Sequence, residues 1–467
     1  MILSSVCKLA LNFLLVAVVS ISCPAASFKT LIIFDGSNGA TPVDTPLIQG
    51  IDGNLYGTTL GGGTNDAGTV FKMTPAGALT TLYSFCSLPN CADGALPYGG
   101  LVLANDGNFY GTTSQGGAAN GISGTVFGIT PAGSLTTIHS FDGSDGANAN
   151  APLIQGADGA LYGLTPSGGP ANSGTFFKIT LSGTLTTLYD FPGALDLNGP
   201  LVQGSDGNFY GTSELGGAYG YGILFQLTPN GGFSVVHSFD STDGSAPACG
   251  LLQASDGDLY GTTYQGGSNH SCPNGCGTVF KTTLAGALTT LYNFDSTHGS
   301  NPIAALIQAT DGNFYGTTYG GGTTGGWGTV FTIKPSGKLT VLHSFQGTDG
   351  AQPYGPMSQD TSGKFYGTAT NGTGPASEGT VFVVSKGLKP FVSFLQSSGE
   401  VGQTIGILGQ GLKKTTSVFF AGVSATFNIQ SDTYLTATVP NGAMSGYVTV
   451  TTSKATLKSN VPFQVLP

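Results

Sequence analysis

The sequence predicts an all-β fold: a seven-bladed β-propeller closed by an N-terminal outer strand, followed by a small Ig-like β-sandwich. Three observations predict it. A motif of the form DGNxYGTT recurs seven times, at Tyr56, Tyr110, Tyr162, Tyr210, Tyr260, Tyr315 and Tyr366, with spacings of 54, 52, 48, 50, 55 and 51 residues. A period near ~50 residues suits a four-stranded blade. The run FKTLIIF from Phe28 supplies the one fourth strand that the seventh repeat lacks. The repeat stops near Lys386, and from Lys389 onward alternating strands with turn signals continue, the pattern of a small sandwich.

The chain opens with an expected export signal at 1–26. Lys8 is its positive end, Leu9 to Val19 is apolar apart from Asn12, and Ser20, Ser22, Ala25 and Ala26 are small. The run is too short for a membrane span, and no second run of spanning length follows. Cleavage is expected after Ser22, Ala25 or Ala26. Acylation at Cys23 is the minor alternative, because Ser20 stands where a lipobox has leucine. The expected location is secreted, periplasmic or cell-surface, with no transmembrane helix.

Residues 27–386 form the expected propeller. In the fourth repeat the strands are LVQG from Leu201, FYGTS from Phe209, GILFQLT from Gly222 and FSVVHSF from Phe233. Asp-Gly and Pro-x-Gly turns join them as hairpins. Thr, Val, Tyr and Phe suit the pleated surface, and no sustained helical period occurs. With Phe28 as outer strand of the last blade, the ring leaves no long unpaired edge. Residues 387–467 form the expected sandwich.

The paired motifs DGNxYGTTxxGG and GTVFKxTPxGxLTTLxSF resemble the GloVer-type tandem repeat of exported bacterial proteins, over roughly residues 28–386. Relatives of that type often end in surface-anchoring tails. This C-terminus has neither an apolar tail nor a basic cluster. Residues 389–467 resemble an IPT/TIG immunoglobulin-like domain through Gly402, Gly409, Gly411, Val418, Phe420, Gly422, Asp432, Val439, Pro440, Gly446, Val448 and Val450. That resemblance implies a spacer or interaction module and brings no catalytic residue.

Composition narrows the function. Only 8% of the 467 residues are charged, the net charge is −10, and all 14 basic residues are lysine. With no arginine to fork onto a phosphate or a guanine, nucleic acid is not an expected partner. His139, His237 and His343 share one repeat slot with Tyr83, Tyr189 and Tyr292, which favours a packing role. Asp52, Asp106, Asp158, Asp206, Asp256 and Asp311 occupy hairpin turns and serve turn geometry. Gln49, Gln155, Gln203, Gln253, Gln308 and Gln359 recur on the first strand, interrupted by Leu103. They either line a polar channel or, the favoured reading, bond neighbouring backbone.

Export favours oxidation of the cysteines. Cys86 with Cys91, and Cys272 with Cys276, are near enough to close small disulfide loops. A rival reading joins Cys249, His270, Cys272 and Cys276 as zinc ligands, on a weak spacing signature, so no metal is expected. Asp142 with Asp145, and Asp240 with Asp243, could hold calcium but sit in motifs shorter than a calcium loop.

The loops after the second and fourth strands share the top face. There Tyr264, Tyr319, Trp327 and Tyr354 cluster in blades five to seven, with His270 and His298 in the same sector. Flat aromatic faces with polar handles suit sugar rings. The alternative is that these rings pack the loops onto the blades. The expected function is therefore an exported non-enzymatic protein that binds a glycan or a cell-surface protein, with no cofactor. A polysaccharide hydrolase or lyase would need two carboxylates converging near the axis. A purely structural surface protein would need no top pocket.

Overall fold

The structure is a computed structural model describing residues 26–466, except 44–45, 118–120, 122, 194, 249 and 373–377. The expected export signal, apart from Ala26, lies outside the described residues, as does Cys249.

Among the described residues, seven four-stranded sheets carry the repeat. In the first, the strands Ile48–Gln49, Leu55–Thr59, Thr69–Met73 and Leu79–Ser84 pair in sequence order, all antiparallel. Leu55–Thr59 is buried throughout, while the outer strand is at most partly buried, with Thr80 and Thr81 exposed. A fully buried second strand needs both faces packed, which sheets stacked side by side provide. Its central glycine is obligatory: a Cβ on Gly57 would come within 2.8 Å of both Leu47 and Phe71. The third and fourth strands slip register between Val70 and Phe71, and the next five sheets slip at the equivalent place. Such bulges increase strand twist.

The seventh sheet takes its outer strand from the start of the chain. Ser27–Ile33 pairs antiparallel with Thr380–Ser385, running from Ser27 opposite Ser385 to Ile33 opposite Thr380. Phe34, Leu47 and Phe71 then pack in one cluster with Tyr366 and Val381, so contacts return from the seventh sheet to the first.

Aromatic rings join sheet to sheet. Tyr56 stacks on Phe109 with centroids 4.1 Å apart, Tyr260 on Phe314 at 4.2 Å, and Tyr315 on Phe365 at 4.1 Å. Each joins the repeat tyrosine of one sheet to the next sheet's second strand. Such pairs add about 0.5–1.5 kcal/mol each beyond area burial.

The C-terminal region is a two-layer sandwich. Ser393–Phe394, Thr404–Leu408, Tyr434–Thr438 and Phe427–Ile429 form one sheet; Val423–Ala425, Thr415–Phe420, Val448–Thr452 and Thr456–Lys458 form the other. Ile407, Val418, Phe420, Leu435, Val450 and Phe463 fill the space between. The sandwich seats on the bottom face, where the Asp-Gly turns lie. The Thr433 hydroxyl donates to the Ile51 carbonyl at 2.8 Å, Gln410 Nε2 to Thr361 Oγ1 at 2.9 Å, and the Phe391 N–H to the Thr361 carbonyl at 3.0 Å.

Candidate functional site

Three recurrent motifs are structural. The turn aspartates do more than shape hairpins. Asp206 accepts the Asn208 N–H at 3.1 Å and its side-chain amide at 2.8 Å, and also the buried Tyr210 hydroxyl at 2.8 Å. The other five turns anchor Tyr56, Tyr110, Tyr162, Tyr260 and Tyr315 the same way. Burial, and then the adjacent carboxylate, push the phenols of Tyr210 and Tyr260 up to about 12. Burial acts to raise Asp206 as well, but the bonds from Tyr210 and Asn208 outweigh it and hold the carboxyl below its usual range.

The first-strand glutamines are straps. Gln203 Oε1 accepts the Ala157 N–H of the preceding sheet at 3.0 Å, and its Nε2 donates to the Gly207 carbonyl of its own turn at 3.1 Å. Gln155, Gln253, Gln308 and Gln359 reach back in the same way, and Gln49 reaches Thr361 of the seventh sheet at 2.9 Å. Leu103 has no amide to offer Ile51, and there Thr433 of the sandwich bonds the Ile51 carbonyl instead.

The shared histidines bond linker aspartates: His139 with Asp145 and His237 with Asp243 at 2.7 Å, His343 with Asp349 at 2.8 Å. Burial holds the His343 imidazole below its usual pKa.

What remains distinctive is the top mouth. Tyr98, Asn150, Asn198 and Tyr354 each stand three residues before the buried Leu101, Leu153, Leu201 or Met357 that leads into an inner strand. Glu214, Tyr264 and Tyr319 each follow a second strand directly. These two positions converge. The hydroxyls of Tyr98 and Tyr354, from the linkers leading into the second and seventh sheets, meet at 3.3 Å. Tyr319 lies edge-on to Tyr354 with centroids 6.3 Å apart. Asn150 Nδ2 donates to Asn198 Oδ1 at 3.2 Å, and Asn198 Nδ2 donates to Asp196. Asp196 is held through its N–H to Ser213 Oγ at 3.0 Å.

The charges at this mouth are coupled. Burial, and then the Asp196 charge, raise the Glu214 carboxyl above its usual range. Burial raises Asp196 too, against the bond from Asn198. The Tyr264 phenol is raised by burial, then by Tyr319 and Glu214. Among the described residues no lysine or histidine pairs with Asp196 or Glu214. Such a site presents aromatic rings, amides and half-buried acids side by side.

Of the expected binding residues, Tyr264, Tyr319 and Tyr354 join this group. Trp327 is exposed and lies against Gly325 and Gly347, without a ring contact to the tyrosines among the described residues. His298 bonds Asp295 at 2.7 Å and takes the linker position that Asp145 and Asp243 hold elsewhere. His270 is exposed in a loop. Disulfides join Cys86 to Cys91 and Cys272 to Cys276. The second removes two thiolates from the zinc set considered above. No cluster of three or more metal-ligating side chains occurs among the described residues. Sequence reasoning missed Tyr98, Asn150, Asn198 and Asp196. Aligning the linkers on the leucine that opens each inner strand would have found the first three.

Fold and site define an all-β repeat protein with propeller-like blades and a C-terminal Ig-like module. The chain belongs to the Gloeobacter/Verrucomicrobia repeat family, which it matches over residues 15–200 and 196–423, and it carries an IPT/TIG domain at 390–465. Among curated proteins none matches it. The extracellular domain of a protein described as a hybrid two-component system from Bacteroides thetaiotaomicron is similar in fold, with 11% identity and a TM-score of 0.50. The match covers 94% of this chain and 57% of that one. A Bacteroides uniformis protein described as a 6-phosphogluconolactonase has 14% identity and a TM-score of 0.44, covering 67% of this chain and 89% of that one. A Xanthomonas campestris gluconolactonase has 14% identity and a TM-score of 0.41, covering 74% and 96%. Identities this low speak to fold alone. The IPT/TIG module fits a binding or interaction role. No helix among the described residues is long and apolar enough to cross a membrane.

Proposed function

We propose that the protein is exported and binds carbohydrate at its top mouth without transforming it, the IPT/TIG domain serving as spacer or second contact. The observation that carries this reading is the convergence of Tyr98, Tyr264, Tyr319 and Tyr354 with the Asn150–Asn198–Asp196 chain. Tyrosine faces stack on sugar rings, and amides with a carboxylate select hydroxyl groups. Absence of arginine and scarcity of lysine make an anionic ligand a poor fit.

The test is a glycan-array screen of residues 27–467, with Tyr319→Ala, Tyr354→Ala and Trp327→Ala alongside. A defined glycan should be bound by the parent and the Trp327 variant and lost in both tyrosine variants. No glycan bound by the folded parent sinks the reading and leaves a protein partner or a purely structural role.

The coupling of Glu214 with Asp196 supports a second reading, hydrolysis of a polysaccharide. Both carboxyls are raised by burial, and two carboxyls in one field can divide the acid and base roles between them. Release of reducing ends from a bound glycan, abolished by Glu214→Gln, would favour it over simple binding.

A further inference from the structure

The sandwich does not simply hang from the propeller. It covers the bottom of the axial channel and leaves a chamber of about 450 Å³ beneath it. Ile48, Val102 and Ile154 from three inner strands wall the chamber, and Phe394, Leu395 and Leu408 of the sandwich close it. No charged side chain lines it. The wall residues Ile48, Val102 and Ile154 are only partly buried, as are Phe394 and Leu395, so aliphatic and aromatic surface faces unfilled space. Leu103, the one break in the glutamine straps, is also a wall residue. Three strap glutamines, Gln49, Gln155 and Gln359, also reach the chamber, with Ser358 and Ser393, so the wall is mainly but not wholly apolar.

A second space adjoins it. A cleft of about 560 Å³ between the sandwich and the third to fifth sheets shares Ile154, Gln155 and Leu395 with the chamber. Its character differs: Gln203, Gln253, Gln396, Ser397 and Gln464 line it, again with no charged group. The sandwich is bonded to the propeller at Ile51 and Thr361, and on the cleft side Gln396 accepts from Asn105 and donates to the Ala157 carbonyl. The cleft and the mainly apolar chamber meet at the residues they share. Leu395 stands at the boundary, seated against Gly406, where a Cβ would come within 2.6 Å of it.

We infer that this interdomain space binds a neutral amphiphile, its apolar body in the chamber and an uncharged hydrogen-bonding head in the cleft. Water against the aliphatic and aromatic part of the wall lacks partners there, so an apolar group displaces it readily. The volume lies within the range of small-ligand pockets. Amides and hydroxyls satisfy a polyol or amide head, whereas an ionised head would be desolvated with no counter-charge. Pro152, Pro200 and Pro356 of the chamber wall stand two residues beyond Asn150, Asn198 and Tyr354, so the chamber reaches toward the mouth, but none of the mouth's side chains lines it.

The experiment is a fluorescence titration of residues 27–467 with N-phenyl-1-naphthylamine, a neutral apolar probe. Saturable binding is expected. Octyl glucoside below its micelle concentration should displace the probe, while octanoate and octylammonium at the same concentration should not. Val102→Phe fills the chamber and should abolish binding. Leu103→Gln restores the residue that six other repeats carry, so it should fold, and should weaken the probe by about tenfold or more. Tyr319→Ala should leave the titration unchanged, which separates this site from the mouth. Absence of saturable binding overturns the inference. So does probe affinity unchanged in folded Leu103→Gln, or equal displacement by octanoate.

Discussion

Replacing Asp206 by alanine tests how the repeat turn is held. The carboxylate accepts three bonds: the Asn208 N–H, the Asn208 amide and the Tyr210 hydroxyl. The Tyr210 bond matters most, because that side chain is fully buried. Its oxygen keeps the Gln226 amide at 2.7 Å as a donor, so only the phenolic proton loses its partner. A hydrogen bond to a charged acceptor contributes about 1.5–3 kcal/mol, and the exposed turn bonds can be replaced by water. The expected loss is about 2–3 kcal/mol. With the specific unfolding entropy of globular proteins over about 440 residues, that lowers Tm by roughly 2–4 °C at pH 7 if the chain unfolds as one unit. The assay is differential scanning calorimetry of the parent, Asp206→Ala and Ser205→Ala. The sign with pH follows from the depressed Asp206 carboxyl. Its contribution is complete above the unfolded value near ~4 and is lost as pH falls through the folded one. The gap between parent and Asp206→Ala should therefore narrow below about pH 4. Equal Tm for Asp206→Ala and Ser205→Ala, or a gap that widens in acid, refutes the reasoning.

Other outcomes follow from the same contacts. His343→Tyr places the residue of other repeats in that slot. Because burial depresses the His343 pKa, the parent should lose stability relative to this variant as pH falls below about 6.5, read as a shrinking Tm difference. Removing residues 27–33 strips the outer strand from Thr380–Ser385 and exposes a sheet edge; light scattering should show association that the parent lacks. Gln203→Leu loses both strap bonds and should cost about 1–2 kcal/mol, visible as faster amide exchange at Ala157. Thr433→Val removes the bond to Ile51, about 1 kcal/mol, and should speed exchange across residues 51–53 without changing the propeller's melting.

Much of the fold was legible because each repeat states its own strands. DG turns, a YGT core and the Thr-rich third strand set local pairing, and seven copies confirm one another along the chain. The histidine slot and the glutamine straps were legible for the same reason: a position repeated at fixed phase has one structural job. The site was harder to see. Tyr264, Tyr319 and Tyr354 stood out as departures from the repeat, but Tyr98 did not, since it lies in the linker before the second sheet, far in sequence from its partner Tyr354. Trp327 looked equivalent to the tyrosines by loop position, yet its ring settles over two glycines.

The sequence by itself determined the strand order, the turn chemistry and the two regions, because these depend on residues within one period of each other. Only the tertiary structure decided which loop residues meet at the mouth, that Asp196 and Glu214 share a field, and that the sandwich covers the bottom of the channel. The longest of those contacts join residues hundreds of positions apart, such as Thr433 with Ile51 and Tyr98 with Tyr354. Their pairing is set by the curvature of stacked sheets, which brings the last sheet beside the first and is written in no single segment.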